Sequence, residues 1–357
     1  MQKSLLSLPT VYERIKQSDK PLLLYGMGDG AVKINNMLSS RGIKPGGVVA
    51  SDGFARGNEF LGHKVMSFDE AQGIYGDFDC VLCFGTAKSE LYMLQNVEKR
   101  HTVYYIDAPV YGDEELTKEL IVSEIETVER VYDLLDDKSK RVYLQNLSFS
   151  ITGDRRYLEW QDDDFVYPEC YYDHQKAHID VGAFDGDTAI EYYNHSRTFG
   201  KLIAIEPDER TYKKLVANTA YIPRVECINA AVTDKNGYIR FASKGSRGSA
   251  VGEGYEVKTV TIDQITGHQK AFADGMDVGS IKIDAEGFDA EVLYGAVNTV
   301  CDLTPTVSVA VYHRAGDIWR LPYYLHKLCG KYKFSLIREP YILPAWDTFA
   351  VAFLPCK

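Results

Sequence analysis

A short run of strand character, His178 to Val181, breaks into Gly182-Ala183-Phe184-Asp185-Gly186-Asp187-Thr188, after which helical spacing begins. Glycines at 182 and 186 let the backbone turn tightly and approach another group closely. Strand, glycine turn and helix in this order open a doubly wound α/β sheet, so the second half of the chain must place its business at the carboxyl edge of such a sheet. Carboxylates at Asp180, Asp185 and Asp187 stand where a glycine-rich loop usually cradles phosphate. They repel an anion and suit a ligand that carries an amine and a sulfonium cation.

The next element agrees with that ligand. Lys201 to Ile205 is a second apolar strand, and it ends at Glu206-Pro207, about 20 residues after the glycines, where a carboxylate accepts both hydroxyls of a ribose. A ribose acceptor beside a cation-friendly loop describes S-adenosylmethionine. Val225 to Asn229 is a third strand, and its end, Asn229-Ala230, is expected beside the purine.

Five pieces in order, Asp180-Val181-Gly182-Ala183-Phe184-Asp185-Gly186-Asp187-Thr188, Ile205-Glu206-Pro207, Asn229-Ala230-Ala231-Val232, Lys282-Ile283-Asp284-Ala285-Glu286-Gly287 and Tyr312-His313, resemble the FkbM family of S-adenosylmethionine-dependent methyltransferases. The resemblance runs from about Lys176 to Lys357. It implies a class I methyltransferase fold with a seven-stranded mixed sheet. It also implies methylation of a hydroxyl on a sugar, glycan or secondary metabolite, with a small-molecule or glycan acceptor as partner. Cofactor contacts are expected from Asp180, Gly182, Asp185, Gly186, Asp187, Thr188, Glu206, Pro207, Asn229, Ala230 and Asp284.

The chemistry is expected at Ile281 to Glu286. On an extended strand, residues two apart share a face, so Asp284 and Glu286 would both enter the crevice. His313 follows the apolar strand Thr306 to Val311, and its ordinary pKa near neutrality makes it the candidate base, with Asp317 to orient it. Asp284 and Glu286 holding a divalent cation is the alternative, but no dedicated His/Asp cluster is visible and the expected site is metal-free.

The first half repeats the theme. Pro21 to Tyr25, Val48 to Asp52, Phe78 to Phe84 and Thr102 to Ile106 read as parallel strands separated by segments of helix length, which predicts a second doubly wound Rossmann-like domain. Gly26, Gly28 and Gly30 with Asp52 imitate a dinucleotide fingerprint, although the third glycine comes too early and Asp29 intrudes. A nucleotide or sugar-nucleotide site and a degenerate module for recruitment or dimerisation both remain open. The expected limits are 1–112 for this domain, 113–150 for an amphipathic helical connector (Leu116, Leu120, Ile121, Ile125, Val128, Val131), and 151–357 for the methyltransferase domain.

With 357 residues, two cores are expected rather than one. A formal charge of -11 without a basic cluster argues against a nucleic-acid partner. No apolar run is long enough for a membrane span and no signal peptide is evident, so a cytoplasmic location is expected. Seven scattered cysteines suit reduced thiols, and Cys80-Val81-Leu82-Cys83 falls inside an apolar strand rather than at a helix start. The acidic run Asp162-Asp163-Asp164 reads as a solvated loop. The glycine-rich stretch Lys244 to Gly254 reads as a loop in which Arg247 could meet an anionic acceptor group. The competing functional readings are a scaffold that keeps the methyltransferase fold without turnover, and a nucleotide-linked enzyme run by the first half.

Overall fold

The computed structural model describes residues 2–51, 53–86, 89–161, 165–172, 175–196, 198–242, 250–251, 254–268, 275–339 and 342–355. Strands β1 (Leu22–Tyr25), β2 (Gly47–Val49), β3 (Glu59–Phe60), β4 (His63–Met66), β5 (Asp79–Leu82) and β6 (Val103–Tyr105) form one sheet in the order β3-β4-β2-β1-β5-β6. All neighbours are parallel except β3 with β4. Strands β1, β2, β5 and β6 coincide with the sequence expectation. The β3–β4 pair was not anticipated, because His63-Lys64-Val65-Met66 is half polar and too short to show alternation.

Alternation along these strands sends side chains to two covered faces. Leu22, Leu24, Val48 and Val81 meet Ala31, Ile34 and Leu38 of the helix Asp29–Ser39 on one side. Leu23, Tyr25, Val49 and Cys80 meet Ala71, Leu94 and Phe149 on the other. The first half is thus wound on both faces.

The second sheet contains β7 (Ala177–Val181), β8 (Lys201–Ile205), β9 (Val225–Ile228), β14 (Val278–Ile283), β15 (Thr306–Ala310), β16 (Lys333–Arg338) and β17 (Thr348–Phe353), in the order β16-β17-β15-β14-β7-β8-β9. Only β17 runs antiparallel to its neighbours. This is the seven-stranded mixed sheet expected from the sequence. A four-stranded sheet, β10 (Ala231–Val232), β11 (Gly237–Ala242), β12 (Ala250–Val251) and β13 (Tyr255–Val260), is inserted between β9 and β14. In it β11 pairs antiparallel with β13, in register Tyr238↔Lys258, and with β12, in register Phe241↔Val251.

The expected connector is three helices, Lys118–Ser123, Ile125–Leu134 and Asp137–Thr152. Their apolar stripe (Ile121, Val128, Val131, Val142, Leu147, Ile151) joins Ile179, Ile203, Ile281 and Val307 in the largest core, so these helices form an outer layer of the second sheet. The last of them also turns Phe149 toward the first sheet. Asp136 caps its start by accepting from the Ser139 backbone N–H, and Gly153 ends it in the left-handed conformation. Leu5, near the start of the chain, packs in the second core as well. Among the described residues no helix is long and apolar enough to cross a membrane.

Candidate active site

β7 ends at Val181, and the chain turns through Gly182 at φ 74°. A Cβ there would overlap the backbone carbonyl of Asp284 as the neighbouring strand β14 leaves the sheet. Glycine at 182 is therefore demanded by the contact between the two loops as well as by its torsion. Phe184 follows at φ 45°, half exposed, and the helix Asp187–His195 begins after Gly186. Non-glycine residues held at positive φ concentrate strain, and the second one here is Glu286 at φ 49°.

These loops border a cavity of about 430 Å³ at the carboxyl edge of the sheet. Gly182, Phe184, Asp187, Thr188, Glu206, Pro207, Ala230, Lys282, Asp284 and Glu286 line it, as do Asp208, Tyr312 and Ile239 of the inserted sheet. Asp180, Asp185, Gly186 and Asn229, expected as contacts, are not among its lining. Asp180 is fully buried and accepts from the Thr188 hydroxyl at 2.6 Å, with Lys282 Nζ 3.4 Å away. Asp185 and Gly186 shape the turn, the Asp185 carbonyl accepting from Asn218 at 2.8 Å. The Asn229 amide donates to the backbone carbonyls of Glu206 and Pro207, so it fixes the β8 and β9 loops to each other.

Glu206 is buried, and its carboxylate accepts the Asp208 N–H at 2.8 Å. Burial pushes its pKa up to about 7; the backbone N–H groups of Asp208 and Phe184 oppose that rise, while the Asp208 carboxylate adds to it. Asp208 caps the following helix through the Thr211 N–H and accepts from the Tyr255 hydroxyl at 3.0 Å. It was missed in the sequence, where Asp after Glu-Pro reads only as a helix start.

The acidic motif departs from expectation in its geometry. β14 stops at Ile283, so Asp284 and Glu286 share a turn rather than one face of a strand. Asp289 holds that turn: one oxygen accepts the Ala285 N–H at 2.8 Å, and the other accepts the Gly287 N–H at 3.2 Å. The same second oxygen lies 2.7 Å from His313 Nδ1. Asp289, not Asp317, thus orients His313, while Asp317 accepts from the Arg314 N–H. Asp289 was missed, although a carboxylate three residues after Glu286 was visible.

His313 is completely buried, with Nε2 3.3 Å from Asp284 Oδ1 and 3.8 Å from Glu286 Oε2. Burial alone would lower its pKa; Asp289, by charge and hydrogen bond, and then Asp284 and Glu286 outweigh this and raise it to about 10. This direction favours the imidazolium at neutral pH. A general base must be unprotonated at the working pH, so the expected base role does not suit this environment. Asp284, Asp289 and His313 also form the His/Asp cluster that the sequence did not reveal. Lys282, buried beside Asp180 and Asp284, is held above the ordinary lysine range by those carboxylates against the effect of burial. The Tyr312 hydroxyl donates to Asp284 at 3.2 Å.

Residues 180–339 match the methyltransferase FkbM domain. The methyltransferase FkbM from Methylobacillus flagellatus KT has a similar structure, with a TM-score of 0.70 at 17% identity over 98% of this chain and 95% of that one. The likeness therefore includes the first half, and at this identity it establishes the fold. An Aeropyrum pernix fibrillarin in complex with S-adenosyl-L-methionine (TM-score 0.33, 9% identity, 53% of this chain and 70% of that one) and an rRNA methylase from Streptococcus thermophilus (0.33, 12%, 52% and 90%) are too distant to bear on function. No curated protein matches the chain. Most of the residues that line the cavity, from Val181 to Glu339, fall within the matched stretch, and Phe165, Ile342, Asp347 and Phe349 lie outside it.

In the first half, Gly26, Gly28 and Gly30 lie at the carboxyl edge of their sheet. A Cβ on Gly26 would come 2.5 Å from the Phe84 ring, and one on Gly30 would come 2.6 Å from the Cys83 carbonyl oxygen. Close packing against the exit of β5 accounts for both. Asp52 lies outside the described residues, as do Asp162 to Asp164 and Lys244 to Ser249 with Arg247. Trp319, Tyr323 and Tyr324 pack in or against the large core, and Trp346 packs on Gly85. Tyr167 stacks on Tyr171, and Tyr171 and Tyr172 contact Tyr192 edge-on and tilted, while Phe165 reaches the cavity.

Proposed function

We propose that the chain is an S-adenosylmethionine-dependent methyltransferase acting on a hydroxyl of a sugar, glycan or secondary metabolite. The observation that carries this is a buried Glu206 at the end of β8, lining a cavity together with Asp187, Glu191, Asp208, Asp284, Glu286, Glu339 and Asp347, against which Lys282 sets one cation. Such a wall disfavours a phosphate-bearing dinucleotide and favours a ligand with a diol and cationic groups. A volume of about 430 Å³ lies in the range of roughly 300 to 1,000 Å³ typical of small-molecule sites.

Glu206 would hold the ribose hydroxyls, Ala230, Val232 and Ile239 the purine plane, and Gly182, Asp187 and Asp284 the amino-acid end. When bound, this cofactor supplies a methyl group made electrophilic by its sulfonium. The chain's part is placement: an acceptor oxygen held in line and near gains most of the available acceleration. Asp284 and Glu286 face the cavity and can accept the acceptor's proton. His313, as imidazolium, and Tyr312 fix the orientation of Asp284. Glu191, Glu339 and Asp347 line the remaining wall, which suits a neutral or cationic hydroxylated acceptor better than a phosphorylated one.

Calorimetry with S-adenosylmethionine and S-adenosylhomocysteine tests the reading. Binding of both is expected, with Glu206→Ala losing about 1.5 to 3 kcal/mol, roughly tenfold to a hundredfold. Absence of binding by the wild-type chain, or unchanged affinity in a folded Glu206→Ala variant, would refute the assigned site.

A further inference from the structure

His313 Nε2 is a buried nitrogen without a hydrogen-bond partner, aimed between two carboxylates that open onto the cavity. Its other nitrogen is held by Asp289 at 2.7 Å, and Asp289 has both oxygens engaged by the backbone N–H groups of Ala285 and Gly287. A carboxylate that orients a histidine whose far nitrogen points at further oxygen donors is the arrangement found behind metal-ligating imidazoles. We infer that Asp284, Glu286 and His313 Nε2 form a site for one divalent first-row cation, with Asp289 as the residue that positions the ring.

The separations from Nε2 suit this. Adjacent ligands at about 2.1 Å from an octahedral ion stand about 3 Å apart, and Nε2 lies 3.3 Å from Asp284 Oδ1 and 3.8 Å from Glu286 Oε2. Small side-chain rotations close the difference, since Glu286 is only partly buried. One imidazole and two carboxylates favour Mn²⁺, Fe²⁺ or Zn²⁺ over Ca²⁺, which prefers oxygen alone. On binding, the Nε2 lone pair goes to the cation and the Nε2 proton leaves to solvent. Lys282 Nζ, 3.8 Å from Asp284 Oδ2, and the Tyr312 hydroxyl on Asp284 Oδ1 are the groups that must yield part of Asp284 to the ion. Three protein donors leave the cavity-facing positions for water or for oxygens of an acceptor, whose hydroxyl the cation would acidify. The site does not depend on the cofactor assignment.

The full-length chain, stripped with a chelator, is titrated with MnCl₂ and followed by calorimetry and by the free-ion signal in electron paramagnetic resonance. One Mn²⁺ per chain is expected, with nitrogen modulation of the bound signal that disappears in His313→Gln. Glu286→Gln, which removes a partly exposed ligand and spares the buried cluster, should weaken Mn²⁺ by at least about 10- to 100-fold, while Asp317→Asn binds as the wild type does. No binding up to millimolar Mn²⁺, binding unaltered in Glu286→Gln, or a bound signal without nitrogen modulation would each overturn the assignment. S-adenosylmethionine binding measured on the same metal-free sample separates this outcome from the fate of the proposed function.

Discussion

The two sheets share a plan and differ in what they bury at the carboxyl edge. In each, the first strand runs into a turn with positive-φ glycines and a helix, and in each a glycine lies against the exit of the adjacent strand: Gly30 on Cys83, Gly182 on Asp284. At the edge of the first sheet the groups buried beside that turn are Tyr25, Leu82 and Cys83. Behind the second lie Asp180, Glu206, Lys282, Asp289 and His313, all buried and ionisable. Burying charge is costly unless it is paired and hydrogen-bonded, so a concentration of it at one sheet edge marks the place where a ligand is handled. Glycine spacing alone reports how closely two loops pack.

The strongest way to break this comparison is to add one methyl group to each turn. Gly182→Ala places a Cβ into the Asp284 carbonyl at an unfavourable φ, and we expect a loss of at least about 3 kcal/mol with cofactor binding and methyl transfer abolished. Gly28→Ala meets nothing within 4 Å and is strained only by its φ of 107°, so about 1 to 2 kcal/mol is expected with methyl transfer intact. Urea unfolding and turnover on both variants decide the matter. Loss of transfer in a folded Gly28→Ala protein would reinstate a working ligand site in the first half.

Next in size is the charge cluster. His313 has its pKa raised from 6.5 to about 10, so its contribution to stability is fully present below pH 6.5 and is lost as pH rises through 10. Asp317, raised by burial and then by Asp289 to about 7, acts in the same direction at lower pH. Stability should therefore fall between pH 6.5 and 10, and His313→Gln should remove about 3 to 5 kcal/mol at pH 6.5 and flatten the slope. A His313→Gln protein as stable as the wild type, with turnover reduced and a rate that rises through pH 6.5 in the wild type alone, would restore the histidine as base.

Much of this was legible because strands carry their own signature. The apolar runs Leu22 to Tyr25, Lys201 to Ile205 and Thr306 to Ala310 are buried on both faces and could be read without knowing their neighbours. Gly182, Glu206 and Asp284, which line the cavity, were legible through local spacing. Less visible were contacts that depend on distant backbone. Asp289 acts through Ala285, Gly287 and His313, a pairing across 24 residues, and nothing local in His313 announces that three carboxylates surround it. Asn229 likewise turned from the purine to the backbone of Glu206. The helices from 118 to 152 showed their stripe but not the sheet it would cover. We propose the limits 1–112, 113–150 and 151–357 as folding units only in the sense that the last two share a core. Two separate unfolding transitions would support the division, and a single one in calorimetry would oppose it.

A finer contrast follows from Glu206. Its raised pKa of about 7 means that Glu206, the proposed acceptor of the ribose hydroxyls, ionises as pH rises through neutrality. Cofactor affinity should increase between pH 6 and 8 and level off above, because a carboxylate accepts two hydrogen bonds where the acid accepts fewer. Glu206→Gln should bind about tenfold more weakly at pH 8 and lose the pH dependence. A dependence that persists in Glu206→Gln would move the titrating group elsewhere in the cavity.

The smallest effect is expected at Cys80 and Cys83, which imitate a redox pair in the first sheet. Both lie within or at the end of β5 and are buried; burial pushes the Cys83 thiol up to about 12 and the Cys80 thiol higher still, with Asp79 adding to the latter. Thiolate is the reactive form, so neither should react in the folded chain. Cys301 is exposed and should be alkylated first, even though burial and Asp302 raise its pKa somewhat. Iodoacetamide labelling read by mass spectrometry should modify Cys301 and leave Cys80 and Cys83 untouched until urea unfolds the first sheet. Cys83→Ala should then cost about 1 kcal/mol and leave turnover unchanged. Rapid native labelling of Cys83, or turnover that responds to a thiol oxidant in the wild type and not in Cys83→Ala, would show that the first half carries chemistry after all.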